Sequence, residues 1–308
     1  LNTYRSQRRG GRGVQGASSR EEDFVEHLFV ANTHSYILFF TDKGKCYWVK
    51  VYDIPEGGRA AKGRAIVNLI GCEPDEKVSA FISVKEFNDD HFVVMATEKG
   101  IVKKTKLSAY SNPRKKGIYA VEIRDGDKLI EARVSTGDND ILLGTRNGKS
   151  IRFSEEQIRP SGRKTMGVKG ITLSSEDDRL VGMLLIKREG TTVLVATEKG
   201  FGKRTEISQY RAQKRGGKGV LTMKTTDKVG KMVTIKEVVD KDDLMIITNQ
   251  GVLIRQPVSQ IRAIGRATQG VKLIKLGEGT LVSSITRIMS EEDSGDENNS
   301  TEPKGNTE

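Results

Sequence analysis

The sequence predicts an all-β, propeller-like disc of six blades with about four strands each, the first blade truncated on its N-terminal side. Three observations predict it. First, a Thr stands three positions before a Gly at the end of an apolar run, at Thr41/Gly44, Thr97/Gly100, Thr145/Gly148, Thr197/Gly200 and Thr248/Gly251, about every fifty residues. Second, a further Gly with Arg and Lys around it follows each pair, at Gly63, Gly117, Gly167, Gly219 and Gly270, after 19, 17, 19, 19 and 19 residues. Third, Gly13 carries a sixth copy of that second half near the start of the chain. Units of this length cannot bury an apolar face alone and stack into arrays.

Within a unit, an apolar run such as Phe92–Ala96 meets the Thr and a tight turn ending in Gly, a hairpin signal with Gly at a position that needs positive φ. The chain returns through an alternating strand such as Ile101–Thr105 and enters an element bearing Tyr110, Ile158, Tyr210 or Ile261. The basic loop follows. After its Gly, a third strand is predicted at 118–123 or 271–276, and a fourth at 128–134 or 281–286. Four short strands per unit match blades that protect their edges by radial repetition. Ser19 and Glu22 have capping-box spacing and predict a short helix over 19–30. Leu1–Arg5 aligns with Ile207–Arg211, so the chain is expected to begin inside a blade. The domain is placed at residues 1–289.

Charge points to the partner. Residues 290–308 hold seven acids against Lys304, so this tail is at −6 and residues 1–289 are at +17 within the net +11. The tail has no aromatic and few apolar residues and is expected to be disordered. A body so basic suits a polyanion. No apolar stretch reaches the ~20 residues that cross a bilayer, and no basic amphipathic helix is present, so nucleic acid is preferred to membrane. The N-terminus lacks a signal-peptide core. Cys46 and Cys72 make neither a disulfide framework nor a metal spacing, and His27, His34 and His91 stand singly, which predicts a reducing cytoplasm and no metal site.

Two nucleotide motifs fail on context. Gly11-Arg12-Gly13-Val14-Gln15-Gly16 follows no strand and opens no helix, and Gly148-Lys149-Ser150 would need Gly where Leu143 stands. No nucleophile–base arrangement appears. The acid pairs Asp89-Asp90, Asp177-Asp178 and Asp242-Asp243 lie between strands and are read as solvated turns.

The basic loops remain as the candidate site. They contribute Arg8, Arg9 and Arg12; Arg59, Lys62 and Arg64; Arg114, Lys115 and Lys116; Arg163, Lys164 and Lys169; Arg211, Lys214, Arg215 and Lys218; and Arg262, Arg266 and Lys272. Solvated charge alone does not explain recurrence at one position in all six units. Closing the array sets the loops along one rim, where Arg forks and Gly-exposed main chain suit a phosphodiester backbone. Aromatics are 6% of the chain and do not interleave with the loops, which favours duplex over stacked single strands.

Gln7-Arg8-Arg9-Gly10-Gly11-Arg12-Gly13 is identical to the seven-residue box that marks the C-terminal domain of DNA gyrase A subunits, and Gln213–Gly219 resembles its degenerate copies. The resemblance covers residues 1 to about 289. It implies a six-bladed β-pinwheel whose blades exchange strands, with all of Gln7–Gly13 at the DNA. It also implies positive-handed wrapping of duplex DNA in service of ATP-dependent negative supercoiling. The partners so implied are duplex DNA, the rest of the gyrase A protein and the gyrase B protein, in bacterial cytoplasm. The cleavage tyrosine and the ATP and Mg sites would lie on other domains, leaving this chain without cofactor or catalytic residue. The alternatives are the C-terminal domain of topoisomerase IV, a decatenase, and a propeller that binds acidic proteins.

Overall fold

The computed structural model describes residues 14–15, 31–55, 66–187 and 190–288. These residues form five four-stranded antiparallel sheets, here called blades 1 to 5. The six blades expected from the repeats are therefore corrected to five among the described residues. The physical reason is that a sheet is built on a hairpin, and the chain has five Thr-x-x-Gly hairpins against six basic loops.

Blade 1 is built on the hairpin Tyr36–Thr41/Lys45–Lys50 and blade 2 on Phe92–Thr97/Ile101–Lys106. Blades 3, 4 and 5 use Asp140–Thr145/Lys149–Ser154, Thr192–Thr197/Phe201–Glu206 and Asp243–Thr248/Val252–Pro257. The local chemistry is shared. The Gly N–H donates to the Thr carbonyl at 2.9–3.0 Å in all five turns. Each Gly has φ between 75° and 83°, the left-handed region that L side chains resist. In four of the turns the buried Thr hydroxyl accepts a main-chain N–H of the returning strand, as Thr97 does from Ile101 at 3.2 Å.

A closing strand flanks the first strand of each hairpin. These are Val78–Val84, Leu129–Ser135, Leu180–Ile186, Met232–Val238 and Val282–Ile288, and each packs against the next in that order. They gather on the inside. The opposite, outer edge is covered by a two-residue strand taken from the following repeat. Ile118–Tyr119 joins blade 1, Val168–Lys169 blade 2, Val220–Leu221 blade 3 and Val271–Lys272 blade 4. The third strands expected at 118–123 and 271–276 are thus shorter, and they pair with the preceding hairpin rather than their own.

Val14–Gln15 completes the pattern by pairing with Val252 and Leu253 of blade 5. The first repeat supplies the last blade's outer strand, so this edge is paired. After Gly63 the corresponding residues 64 and 65 lie outside the described residues, and they are followed by the helix Ile66–Ile70, which the sequence reading missed. The expected helix at 19–30 and the tail at 290–308 lie outside the described residues.

The core is divided among the blade interfaces, as expected for units that bury one another. Leu38 and Phe40 of blade 1 meet Val93 and Met95 of blade 2, and Val94 and Ala96 meet Ile141 and Leu143 of blade 3. Leu142 meets Val193 and Val195, and Leu194 meets Leu244 and Ile246. Alternate residues of one strand thus serve opposite interfaces, which is why the central strands are apolar on both faces. The elements bearing Tyr110, Ile158, Tyr210 and Ile261 are short 3-10 turns that drive these side chains into the core at 0–2% exposure.

Two of the acid pairs are not solvated turns. Asp178 and Asp242 are buried. Asp178 accepts main-chain N–H groups of Asn147, Ser174 and Arg179, and Asp242 accepts that of Val239. They satisfy loop donors that would otherwise be orphaned.

Candidate nucleic-acid interface

Each of the four described basic loops, the third to the sixth in chain order, leaves one blade and ends on the outer edge of the preceding one. Loop 4 is anchored where the Ser161 N–H donates to Lys104 O at 2.9 Å, then rejoins at the Val168/Val102 pair. Gln213 to Arg152 O and Ile264 to Arg204 O, both at 2.8 Å, anchor loops 5 and 6 in the same way. The segments 162–167, 214–219 and 265–270 therefore arch over the perimeter strand. The joint glycines end them. A Cβ on Gly219 (φ 69°) would stand 2.3 Å from Ser150 O, and one on Gly167 (φ 87°) 2.5 Å from Val102 O.

Neighbouring loops are tied to one another. The Arg163 guanidinium donates to Tyr119 O at 3.0 Å, Arg215 to Lys169 O, and Arg266 to Leu221 O at 2.9 Å. In each case the acceptor is the second residue of the preceding repeat's exchanged strand. A main-chain bond runs alongside, from Glu122 to Thr165 O, Thr172 to Gly217 O and Lys224 to Thr268 O. Three arginines read from the sequence as backbone contacts are therefore also staples between loops. The third loop has Pro113 at the staple position and lacks this contact.

The other cations of the described loops face outward. Arg114, Lys115, Lys116, Lys164, Lys169, Arg211, Lys214, Lys218, Arg262 and Lys272 are exposed, and no carboxylate among the described residues pairs with them. The hairpin-turn ends of the blades differ. There Lys43 pairs with Asp75, Lys128 and Arg179 with Glu98 at 3.3 and 3.6 Å, and Arg146 with Glu198 at 3.4 Å. Uncompensated positive charge is thus concentrated on the perimeter. Gln7, Arg8, Arg9, Gly10, Gly11, Arg12 and Gly13, with Arg59, Lys62 and Arg64, lie outside the described residues. The box nevertheless directly precedes the strand that pairs with blade 5.

Sequence reasoning missed the cations beneath the arches. Lys103 and Lys203 are 1% and 0% exposed. Lys103 Nζ donates to Ala120 O at 2.7 Å and to Arg163 O, and Lys203 Nζ to Gly265 O at 2.6 Å and to Arg266 O. The only signal was Lys on an inward-facing position of an alternating strand. Burial, with the Arg163 guanidinium adding and Glu122 opposing, lowers the Lys103 pKa to about 8; burial and Arg266 do the same for Lys203. The next residues along, Lys104, Arg152 and Arg204, reach the 3-10 turn of the following blade at Glu155 O, Ile207 O and Ile261 O. Lys104 also faces the buried Glu155 carboxylate at 3.4 Å. Much of the strand charge is structural.

The depressed lysines set a pH dependence. An unfolded lysine keeps its proton to about pH 10.4, so between pH 8 and 10 the unfolded chain binds more protons and stability rises with pH. Below pH 8 the cost of the buried charge is fully present. Lys203→Met removes one such contribution. In urea unfolding at pH 7 and pH 9.5, the wild type is expected to gain stability relative to this variant on going to the higher pH. A constant difference between the two proteins would show that Lys203 titrates normally.

The model of the DNA gyrase C-terminal domain, beta-propeller, matches residues 1–32, 35–85, 91–136, 139–187, 191–238 and 242–288, one segment per repeat. The chain belongs to this gyrase C-terminal domain family. The DNA gyrase A protein of Staphylococcus aureus is 46% identical over 309 residues, covering 100% of this chain and 34% of that protein. That of Staphylococcus epidermidis is 46% identical over 295 residues, covering 95% and 33%. The chain spans about a third of these relatives. Among solved structures, the C-terminal domain of DNA topoisomerase IV superposes with a TM-score of 0.76 at 25% identity, over 83% of this chain and 80% of that one. A DNA gyrase A C-terminal domain gives 0.77 at 22%, over 94% of both chains, a likeness of fold. The gyrase-type domain thus carries its described basic loops on the perimeter of a strand-exchanged propeller.

Proposed function

We propose that the chain binds duplex DNA without sequence preference along its perimeter and bends it around the disc. On this reading it serves a gyrase A protein that works with a gyrase B protein in ATP-dependent negative supercoiling in the bacterial cytoplasm. The observation that carries the reading is the row of tied basic arches with exposed, unpaired cations, against hairpin ends whose charges are paired. The chemistry fits a phosphate backbone: Lys and Arg release condensed counterions, and arches at a fixed spacing share the load. Bending a duplex about a body this small costs up to ~10 kcal/mol, which a distributed row of contacts can offset. Cleavage and ATP hydrolysis are assigned to other domains of the assembly, with no cofactor required by this one. The whole-chain similarity to gyrase A proteins, at 46% identity, favours gyrase over topoisomerase IV.

The test is duplex length. A duplex of about 60 base pairs is expected to bind more tightly than one of about 20, per site, because only the longer one follows the perimeter. End-to-end energy transfer on the longer duplex should rise on binding. Equal affinity for both lengths with unchanged end separation would leave a basic binding module that does not bend DNA.

A further inference from the structure

Where an exchanged strand meets the hairpin it covers, one of the two register pairs in blades 1 to 4 joins a lysine and an apolar residue, whereas blade 5 has Gln15 opposite Val252. Tyr119 lies opposite Lys45 in blade 1, and Lys169 opposite Ile101 in blade 2. Leu221 lies opposite Lys149 in blade 3, and Lys272 opposite Phe201 in blade 4. The order of the two residues swaps from blade to blade, yet each of these four pairs keeps one of each kind. Directly opposed antiparallel residues project from the same face of the sheet, and Lys272 Nζ indeed stands 5.5 Å from the Phe201 ring centroid. The apolar members are not all packed away. Tyr119 is 53% exposed and Leu221 37%, and Met166 and Val168 are exposed beside the cations of the next arch. Lys164 of the next arch stands over the Tyr119 ring at 5.9 Å, so aromatic face and cation occupy one patch.

Resting on the duplex-binding reading above, we propose that these pairs are a second kind of DNA contact, in which a lysine meets a phosphate while the apolar residue packs on the adjoining deoxyribose. The lysine is Lys169, Lys149 or Lys272 of its own pair, and Lys164 beside Tyr119, because Lys45 is held by Glu76 at 2.7 Å. A duplex backbone offers the same alternation of anion and apolar sugar. A surface that only gathered phosphates would have no use for exposed Tyr and Leu beside the joint glycines. The contact is blind to base identity, and its apolar half adds affinity without releasing further counterions.

The experiment uses the whole chain and a duplex long enough to follow the perimeter. Tyr119→Ser with Leu221→Ser is expected to weaken binding about five- to tenfold at every salt concentration, leaving the slope of log affinity against log salt unchanged. Lys149→Ala with Lys272→Ala is expected to reduce that slope by about 1.8, at about 0.9 per phosphate contact. Tyr119→Trp, a milder change, should show an emission shift on DNA addition that the parent chain, with Trp48 alone, does not. Unchanged melting of each variant separates contact from fold. Wild-type affinity in the Ser variant, or no emission change in Tyr119→Trp while the duplex is bound, overturns the proposal. No binding of duplex by the parent chain would instead overturn the functional reading beneath it.

Discussion

Gly148→Ala is expected to destabilise the protein by about 4 kcal/mol or more, among the largest effects of any single methyl. Gly148 has φ of 83°, and a Cβ there would lie 2.1 Å from Met223 O. An L residue in this conformation costs roughly 1–2 kcal/mol by itself. The remainder comes from the joint. The Thr222 and Met223 N–H groups both donate to Gly148 O, at 2.8 and 3.1 Å, so relieving the overlap breaks the contact between a hairpin turn and the strand inserted from the next repeat. Gly279→Ala is the control, with φ of 72° and nothing within 4 Å among the described residues. It is expected to cost about 1 kcal/mol. Urea unfolding of the two variants decides, and equal losses would mean that backbone conformation, rather than the joint, sets the size of the effect.

The triple replacement Arg211→Ala, Lys214→Ala and Lys218→Ala is expected to weaken duplex binding on the order of 100-fold at about 0.15 M salt and to lower the salt slope by about 2.7. These three side chains are exposed on one basic loop and bind no carboxylate among the described residues, so their loss leaves no buried group unsatisfied and melting should not change. Arg215→Ala on the same loop should behave differently. Its guanidinium holds Gln157 O and Lys169 O, carbonyls belonging to two different blades, so its loss is expected to lower the melting temperature. If the triple variant kept its salt slope, the perimeter would not be the DNA track.

The hairpins were legible because their information is local. Thr97, Gly100 and the apolar run between Phe92 and Ala96 form the turn and the strand within a few residues, through one hydroxyl and one positive φ. The loops were legible as positive charge at a fixed distance from a Gly. The same counting misled the number of sheets, because a basic loop marks the end of one blade and the edge of another. Asp178 and Asp242 were misread for a related reason: nothing in an acid pair distinguishes a solvated carboxylate from one that caps buried loop N–H groups.

The sequence by itself determined the repeat, the hairpin chemistry, the family box Gln7–Gly13 and the placing of cations before each joint Gly. Only the tertiary structure decided which hairpin each short strand joins, since two residues such as Ile118–Tyr119 carry no periodicity and their partners Lys45 and Cys46 lie far back in the chain. It also separated cations that look alike in sequence. Lys214 is exposed, Arg215 is a staple and Lys203 is buried beneath an arch, because the fold brings main-chain carbonyls of other repeats within reach of the last two and leaves Lys214 facing outward.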